Sequence, residues 1–149
     1  MDTKQRINEM GSEVLDGFKC KPKKLDPNRP IMYYKTHIFI CDGQRCQKAF
    51  GEDKATFLRE LLKTLKLNRG ENRIKISRGG CFGACRFRSV INIYENSRGG
   101  GFLENDNLWL QKVHKFTQED WENFFRLISN NQPLMENLPQ ENFIQMKIY

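Results

Sequence analysis

The chain is predicted to fold as a mixed α/β domain, a β-α-β-β-β-α core with an arm at each end. Two observations carry that reading. A β-rich run at 36–41, an apolar stripe of helical period at 53–67 and a second β-rich run at 72–77 follow in the order strand, helix, strand. The composition then allows one packed interior under a soluble surface: of 149 residues 38% are hydrophobic, 11% aromatic and 29% charged, and the mean hydropathy is -0.70.

Residues 1–36 are expected to form an N-terminal arm and linker. Ile7, Met10, Val14 and Phe18 recur at near-helical spacing, a pattern that Gly11 weakens. The stretch "CKPKKLDPNRP" then reads as extended linker, because its three prolines and four cations favour neither helix nor strand. Residues 37–129 form the folded domain, and residues 130–149 a C-terminal tail that is proline-broken at first and β-like in its last seven positions.

Within the domain, "THIFIC" is a buried strand ending at Cys41, and the "DGQR" after it signals a turn. Phe57, Leu58, Leu61, Leu62 and Leu65 form the stripe of a helix that covers a sheet. "NRG" at 68–70 stops that helix, and "NRIKIS" is the second strand, running into Gly79. A strand-helix-strand crossover is almost always right-handed and makes its two strands parallel. Both strands therefore end at one edge of the sheet, which places Cys41 and Cys46 beside Cys81 and Cys85. "VINIY" at 90–94 and "WLQKV" at 109–113 read as the third and fourth strands, joined by a connection whose three consecutive glycines suggest mobility. Thr117 caps the last helix, with Asp120 at its third position and Trp121, Phe124, Phe125 and Ile128 on its apolar face.

No segment approaches the roughly 18 to 20 apolar residues of a membrane span, and the N-terminus has no apolar signal-peptide run. A cytoplasmic location without membrane contact is expected, where thiols stay reduced and serve as ligands more than as crosslinks. The net charge of +7 divides into +3 over residues 1–36, +5 over 37–129 and -1 over 130–149. That spread argues against a polybasic nucleic-acid tail. Cys20, in the linker, reads as a free surface thiol.

The four remaining cysteines form the pattern C-x4-C, 34 residues, C-x3-C. Soft thiolate sets hold zinc or iron-sulfur clusters. Structural zinc favours tighter C-x2-C knuckles, and the wider loops suit a two-iron rhomb in which each iron takes two thiolates. Thioredoxin-type disulfide exchange would need C-x-x-C, which the chain lacks, and Rieske ligation would need two histidines in the loops, whereas His37 and His114 lie outside them. Gly43, Gly79, Gly80 and Gly83 let the backbone approach bridging sulfides, and Arg45, Arg86 and Arg88 offset the negative charge of such a group.

From "HIFICDGQRC" through "GGCFGAC" to "WLQKVHKFTQEDWENFFRLI", about residues 37–129, the chain resembles the thioredoxin-like 2Fe-2S ferredoxins. It is also similar to the related cluster-bearing subunit of respiratory NADH dehydrogenase. The resemblance implies a thioredoxin-like fold and one 2Fe-2S cluster per chain, held by Cys41, Cys46, Cys81 and Cys85. It further implies one-electron transfer without enzymatic activity, and often a homodimer. Two departures stand out: Ser89 occupies the position where the family usually has proline, and the chain is basic where those ferredoxins are acidic. The expected redox partner is therefore a protein with an acidic docking face. An alternative keeps the cluster but makes it a sensor or structural clamp acting on a protein or nucleic-acid partner.

Overall fold

A computed structural model describes residues 6, 7, 13, 14, 16, 17 and 33–145. The chain divides into two units, Met1–Tyr33 and Tyr34–Tyr149. In the first, β1 (Arg6–Ile7) pairs antiparallel with β2 (Glu13–Val14), with Arg6 opposite Val14 and Ile7 opposite Glu13. This corrects the helical reading of that stretch: Ile7 and Val14 lie on paired strands, and a glycine at position 11 costs a helix about 1 kcal/mol. Met10, Phe18, Cys20 and the proline-rich linker lie outside the described residues.

The second unit is built on a four-stranded mixed sheet of order β4-β3-β5-β6, comprising β3 (Thr36–Ile40), β4 (Ile74–Arg78), β5 (Ile91–Glu95) and β6 (Leu108–Leu110). β3 runs parallel to β4 and antiparallel to β5, and β5 antiparallel to β6. The parallel pair β3 and β4 is the one predicted from the strand-helix-strand order, within a mixed α/β sheet. Alternation along β3 sends Thr36, Ile38 and Ile40 to one face, where the register sets Ile38 beside both Ile76 and Ile93 and Ile40 beside Ile91.

Two long helices pack on that face. α2 (Lys54–Thr64) buries Ala55, Leu58, Leu61 and Leu62, and α3 (Gln118–Ser129) buries Trp121, Phe124, Phe125 and Ile128. Together with the sheet residues they form one core, each large buried side chain contributing about 1.5–3 kcal/mol. α3 starts at a reciprocal capping box, in which Asp120 N–H donates to Thr117 Oγ1 at 3.1 Å and Thr117 N–H donates to Asp120 Oδ2 at 2.9 Å. No helix among the described residues is long and apolar enough to cross a membrane.

Three details differ from the sequence reading. The segment after Cys41 is not a plain turn: Gln44–Phe50 forms a further helix, α1, and buries Cys46. The fourth strand ends at Leu110, and Val113–Lys115 forms a 3-10 turn instead, after Lys112 takes a left-handed φ of 57°. The glycine-rich connection is folded back on Asn96, whose carbonyl accepts from Gly99 N–H at 2.9 Å and Gly101 N–H at 2.8 Å. A Cβ on Gly101 would stand 2.6 Å from Asn96 N, so this glycine serves close packing. Leu103 beyond it is 62% exposed.

Residues past Asn130 continue the same unit. α4 (Leu134–Asn137) buries Leu134, whose N–H donates to Asn105 Oδ1 at 2.9 Å, and Phe143 bridges antiparallel to Leu110.

Candidate metal centre

The parallel pair β3 and β4 sends both of its C-terminal ends to the same rim of the sheet. Cys41 follows β3 directly and still pairs there, its N–H donating to Val90 O at 3.0 Å. Cys46 lies one helical turn on, in α1. The second pair follows β4: Cys81 is in the loop and Cys85 begins a 3-10 turn, Cys85–Phe87.

Hydrogen bonds join the two loops. Gly79 N–H donates to Ile40 O at 2.9 Å and Asp42 N–H to Gly80 O at 3.3 Å, while Gly80 N–H returns to Asp42 Oδ1 at 2.7 Å. The result is direct packing of one loop on the other: a Cβ built on Gly43 would lie 3.0 Å from Cys81 Cβ and 3.4 Å from its Sγ. A methyl here would press on Cys81, which would have to give by a few tenths of an ångström.

All four cysteines are free thiols, graded from inside to outside. Cys41 and Cys46 are 3% and 2% exposed and share a small apolar nest with Val90, against which Phe82, Phe87 and Trp109 pack. Cys85 is half-buried and Cys81 exposed. Burial pushes the Cys46 thiol up to about 11, with the neighbouring Cys41 within hydrogen-bonding reach and Cys85 adding to the effect. Among the described residues, no group of three or more His, Cys, Asp or Glu side chains is placed to hold a metal ion.

The glycines divide by role. Gly83 N–H points at Cys81 Sγ, 3.4 Å away, whereas the amides of Gly79 and Gly80 are already taken by Ile40 and Asp42. The arginines are all exposed. Arg88 Nη1 donates to Cys85 O at 3.2 Å, and Arg86 lies over the Phe87 ring at 5.3 Å.

Three contributors were not singled out as site residues from sequence. Asp42 is the strut between the loops, although the Asp-Gly after the strand signalled only a turn. Ser89, fully buried, donates through its hydroxyl to Cys46 O at 3.2 Å and through its N–H to His114 Nδ1 at 3.1 Å. The peptide bond before it is cis. Trp109 meets Phe82 edge-on at 5.6 Å and walls the nest.

Four thiols, two buried and two outer, sit on interlocked loops, with Gly43 packed on Cys81 and one backbone N–H aimed at its sulfur, a donor chemistry that suits thiolate-binding metals.

No protein-family model matches the chain, and no curated protein matches it. Among solved structures it is similar to the wild-type thioredoxin-like [2Fe-2S] ferredoxin from Aquifex aeolicus, with 17% sequence identity and a TM-score of 0.48, over 76% of this chain and 99% of that one.

Proposed function

We propose that this protein is a one-electron carrier whose four thiolates, Cys41, Cys46, Cys81 and Cys85, hold one 2Fe-2S cluster. The observation that carries the reading is the meeting of two sulfur loops, far apart in sequence, at one sheet rim, with Gly43 packed on Cys81 and Cys46 clustered with Cys41. Bound there, the group supplies reversible uptake of a single electron. The chain's own residues do the rest. Cys41 and Cys46 anchor from the dry side and exclude water, and Val90, Phe82 and Trp109 line that side. Cys81, at the surface, brings the site within reach of a partner. Ser89 holds Cys46's helix to the second loop. The protein itself breaks no bond of a substrate, and its partner is another redox protein.

The test is anaerobic purification followed by metal, sulfide and spin measurements. The reading expects two irons and two sulfides for each set of four cysteines, a visible band that dithionite bleaches and air restores, and a reduced-state electron paramagnetic resonance signal. Colourless protein holding one zinc per chain would overturn it. A cluster that is destroyed in the first redox cycle would replace the carrier with a sensor.

A further inference from the structure

Around the exposed Cys81 the charge is predominantly positive. α1 and the segments 79–94 and 107–118 contain Arg45, Lys48, Arg86, Arg88, Lys112 and Lys115 and not one Asp or Glu. All six cations are exposed.

The three segments meet at the sulfur rim. Gly43, just before α1, packs on Cys81, Lys112 N–H donates to Phe87 O at 3.1 Å, and Ser89 N–H reaches His114. The ion pairs Lys35–Glu95, Lys54–Glu52 and Arg78–Asp53 use none of these six. Asp42, the carboxylate between the loops, accepts from Gly80 N–H and leaves the balance positive. Lys112 and Lys115 also border a cleft of about 230 Å³ that includes Asp120 and Glu141, so they stand at the margin of the collar. Like charges gathered on one surface attract an oppositely charged partner.

We infer that this collar is the docking surface for an acidic protein, whose carboxylates ring its own redox centre and seat it against the Cys81 edge. The inference rests on the electron-carrier reading above. The anatomy is that of a protein interface, with half-buried Phe82 and Phe87 at the middle and cations at the rim. Nucleic acid is the other polyanion to consider, but sequence-tolerant strand binding uses free ring faces. Here Phe82 is engaged by Trp109 and Phe87 by Arg86.

The experiment uses the full-length, cluster-loaded protein reduced with dithionite and freed of excess reductant. Stopped-flow mixing follows its oxidation by a trianion, hexacyanoferrate(III), and by a trication, hexaamminecobalt(III). In each case one electron leaves the protein and lowers the oxidant's metal from the +3 to the +2 state. The double variant Arg45→Glu/Arg86→Glu is compared with Arg98→Glu/Arg126→Glu, which makes the same charge change at exposed positions away from the collar. At low salt the collar variant is expected to slow the trianion about tenfold and speed the trication, with both effects lost at high salt; the control pair should change either rate less than about threefold. Poly-glutamate should slow the trianion reaction at concentrations where oligo-dT of equal charge does not. Equal effects from the two variants, or stronger competition by oligo-dT, would overturn the inference while leaving the carrier intact. Wild-type protein that shows no reversible band overturns the carrier reading itself.

Discussion

Ser89 gives its backbone N–H to His114 Nδ1 at 3.1 Å, so the C-x3-C loop is tied to the turn that follows β6. Proline, the residue the family resemblance expects here, has no N–H to give, and it has no hydroxyl to reach Cys46 O. Replacing His114 with Leu leaves a buried donor unpaired and is expected to cost about 1–3 kcal/mol; Ser89→Ala, which loses only the hydroxyl bond, about 1 kcal/mol. Urea unfolding of the metal-free protein checks both, and iron release to a chelator should quicken in the same order. Ser89→Ala unfolding at the wild-type midpoint and releasing iron at the wild-type rate would remove Ser89 from the site's support.

The gradation of the thiols predicts an order of alkylation in the reduced, metal-free protein. Iodoacetamide at pH 8 should label Cys81 first, Cys85 next, and Cys41 and Cys46 last. Cys46, held up near 11, is about one part in a thousand thiolate at that pH. Peptide mass spectrometry over time reads the order directly. Labelling of Cys46 as fast as Cys81 would contradict the buried pair.

Gly43 has a φ of -61°, which alanine adopts without strain. Gly43→Ala therefore tests contact alone, because its methyl would meet the Cys81 backbone and Cβ at 3.2 and 3.0 Å. Stability of the metal-free protein should change by less than about 0.5 kcal/mol, while iron retention against a chelator falls about tenfold. A variant that keeps its iron as well as wild type would show that the loops do not need this approach.

His37 predicts the pH dependence. Its ring bonds Ser77 Oγ at 2.8 Å, and burial, with Lys75 and Arg73 nearby, lowers it to about 4 from 6.5. The unfolded chain thus takes up this proton first. Stability from His37 is complete above 6.5 and declines as pH falls toward 4. Asp53, lowered to about 2 from 3.8 by Arg78 and Thr56, contributes above 3.8 and loses its share as pH falls toward 2. Melting temperatures recorded from pH 8 to 4 should fall below 6.5, and His37→Gln should flatten that fall. An unchanged slope in the variant would clear His37.

Lys35 and Glu95 form a buried pair on the helix-covered side of the sheet, Nζ to Oε1 3.5 Å, with Lys35 Nζ also donating to Ile128 O at 2.8 Å and Thr36 Oγ1 to Glu95 Oε2 at 2.8 Å. Burial pushes both groups toward their neutral forms. Lys35→Met strands the carboxylate and should cost about 3–5 kcal/mol, and adding Glu95→Gln should recover part of the loss. Denaturant midpoints of the single and double variants decide it; no recovery in the double variant would mean that Lys35 acts through packing alone.

The elements that sequence made legible are those with a long apolar period. Leu58, Leu61 and Leu62 in α2, and Trp121, Phe124, Phe125 and Ile128 in α3, announce the core face, and the order of β3, α2 and β4 dictates a parallel pair and a shared rim. Short elements escaped. α1 has seven residues, a glycine at its N-cap and one buried side chain, Cys46, so no stripe marks it. The end of β6 was overrun because Val113 is buried for a reason other than strand pairing: it closes the turn after Lys112. Asp42 and Ser89 were beyond reach for a different reason. Their partners, Gly80, His114 and Cys46, lie 25 to 43 positions away, and only the folded chain brings them into range.

The parallel pairing of β3 with β4 also sets a timetable. A growing chain that has released Cys41 and Cys46 holds half of the proposed ligand set, because the opposing sulfurs arrive only when the crossover has closed and β4 has zipped onto β3. On the proposed reading, the complete site would form only in a chain that has finished this part of its fold, and metal held there would draw the unfolded population toward the native one. Colour acquired during synthesis would thus be a readout of completed topology, and a mutation that delays the crossover would leave pale protein even with every thiol in place.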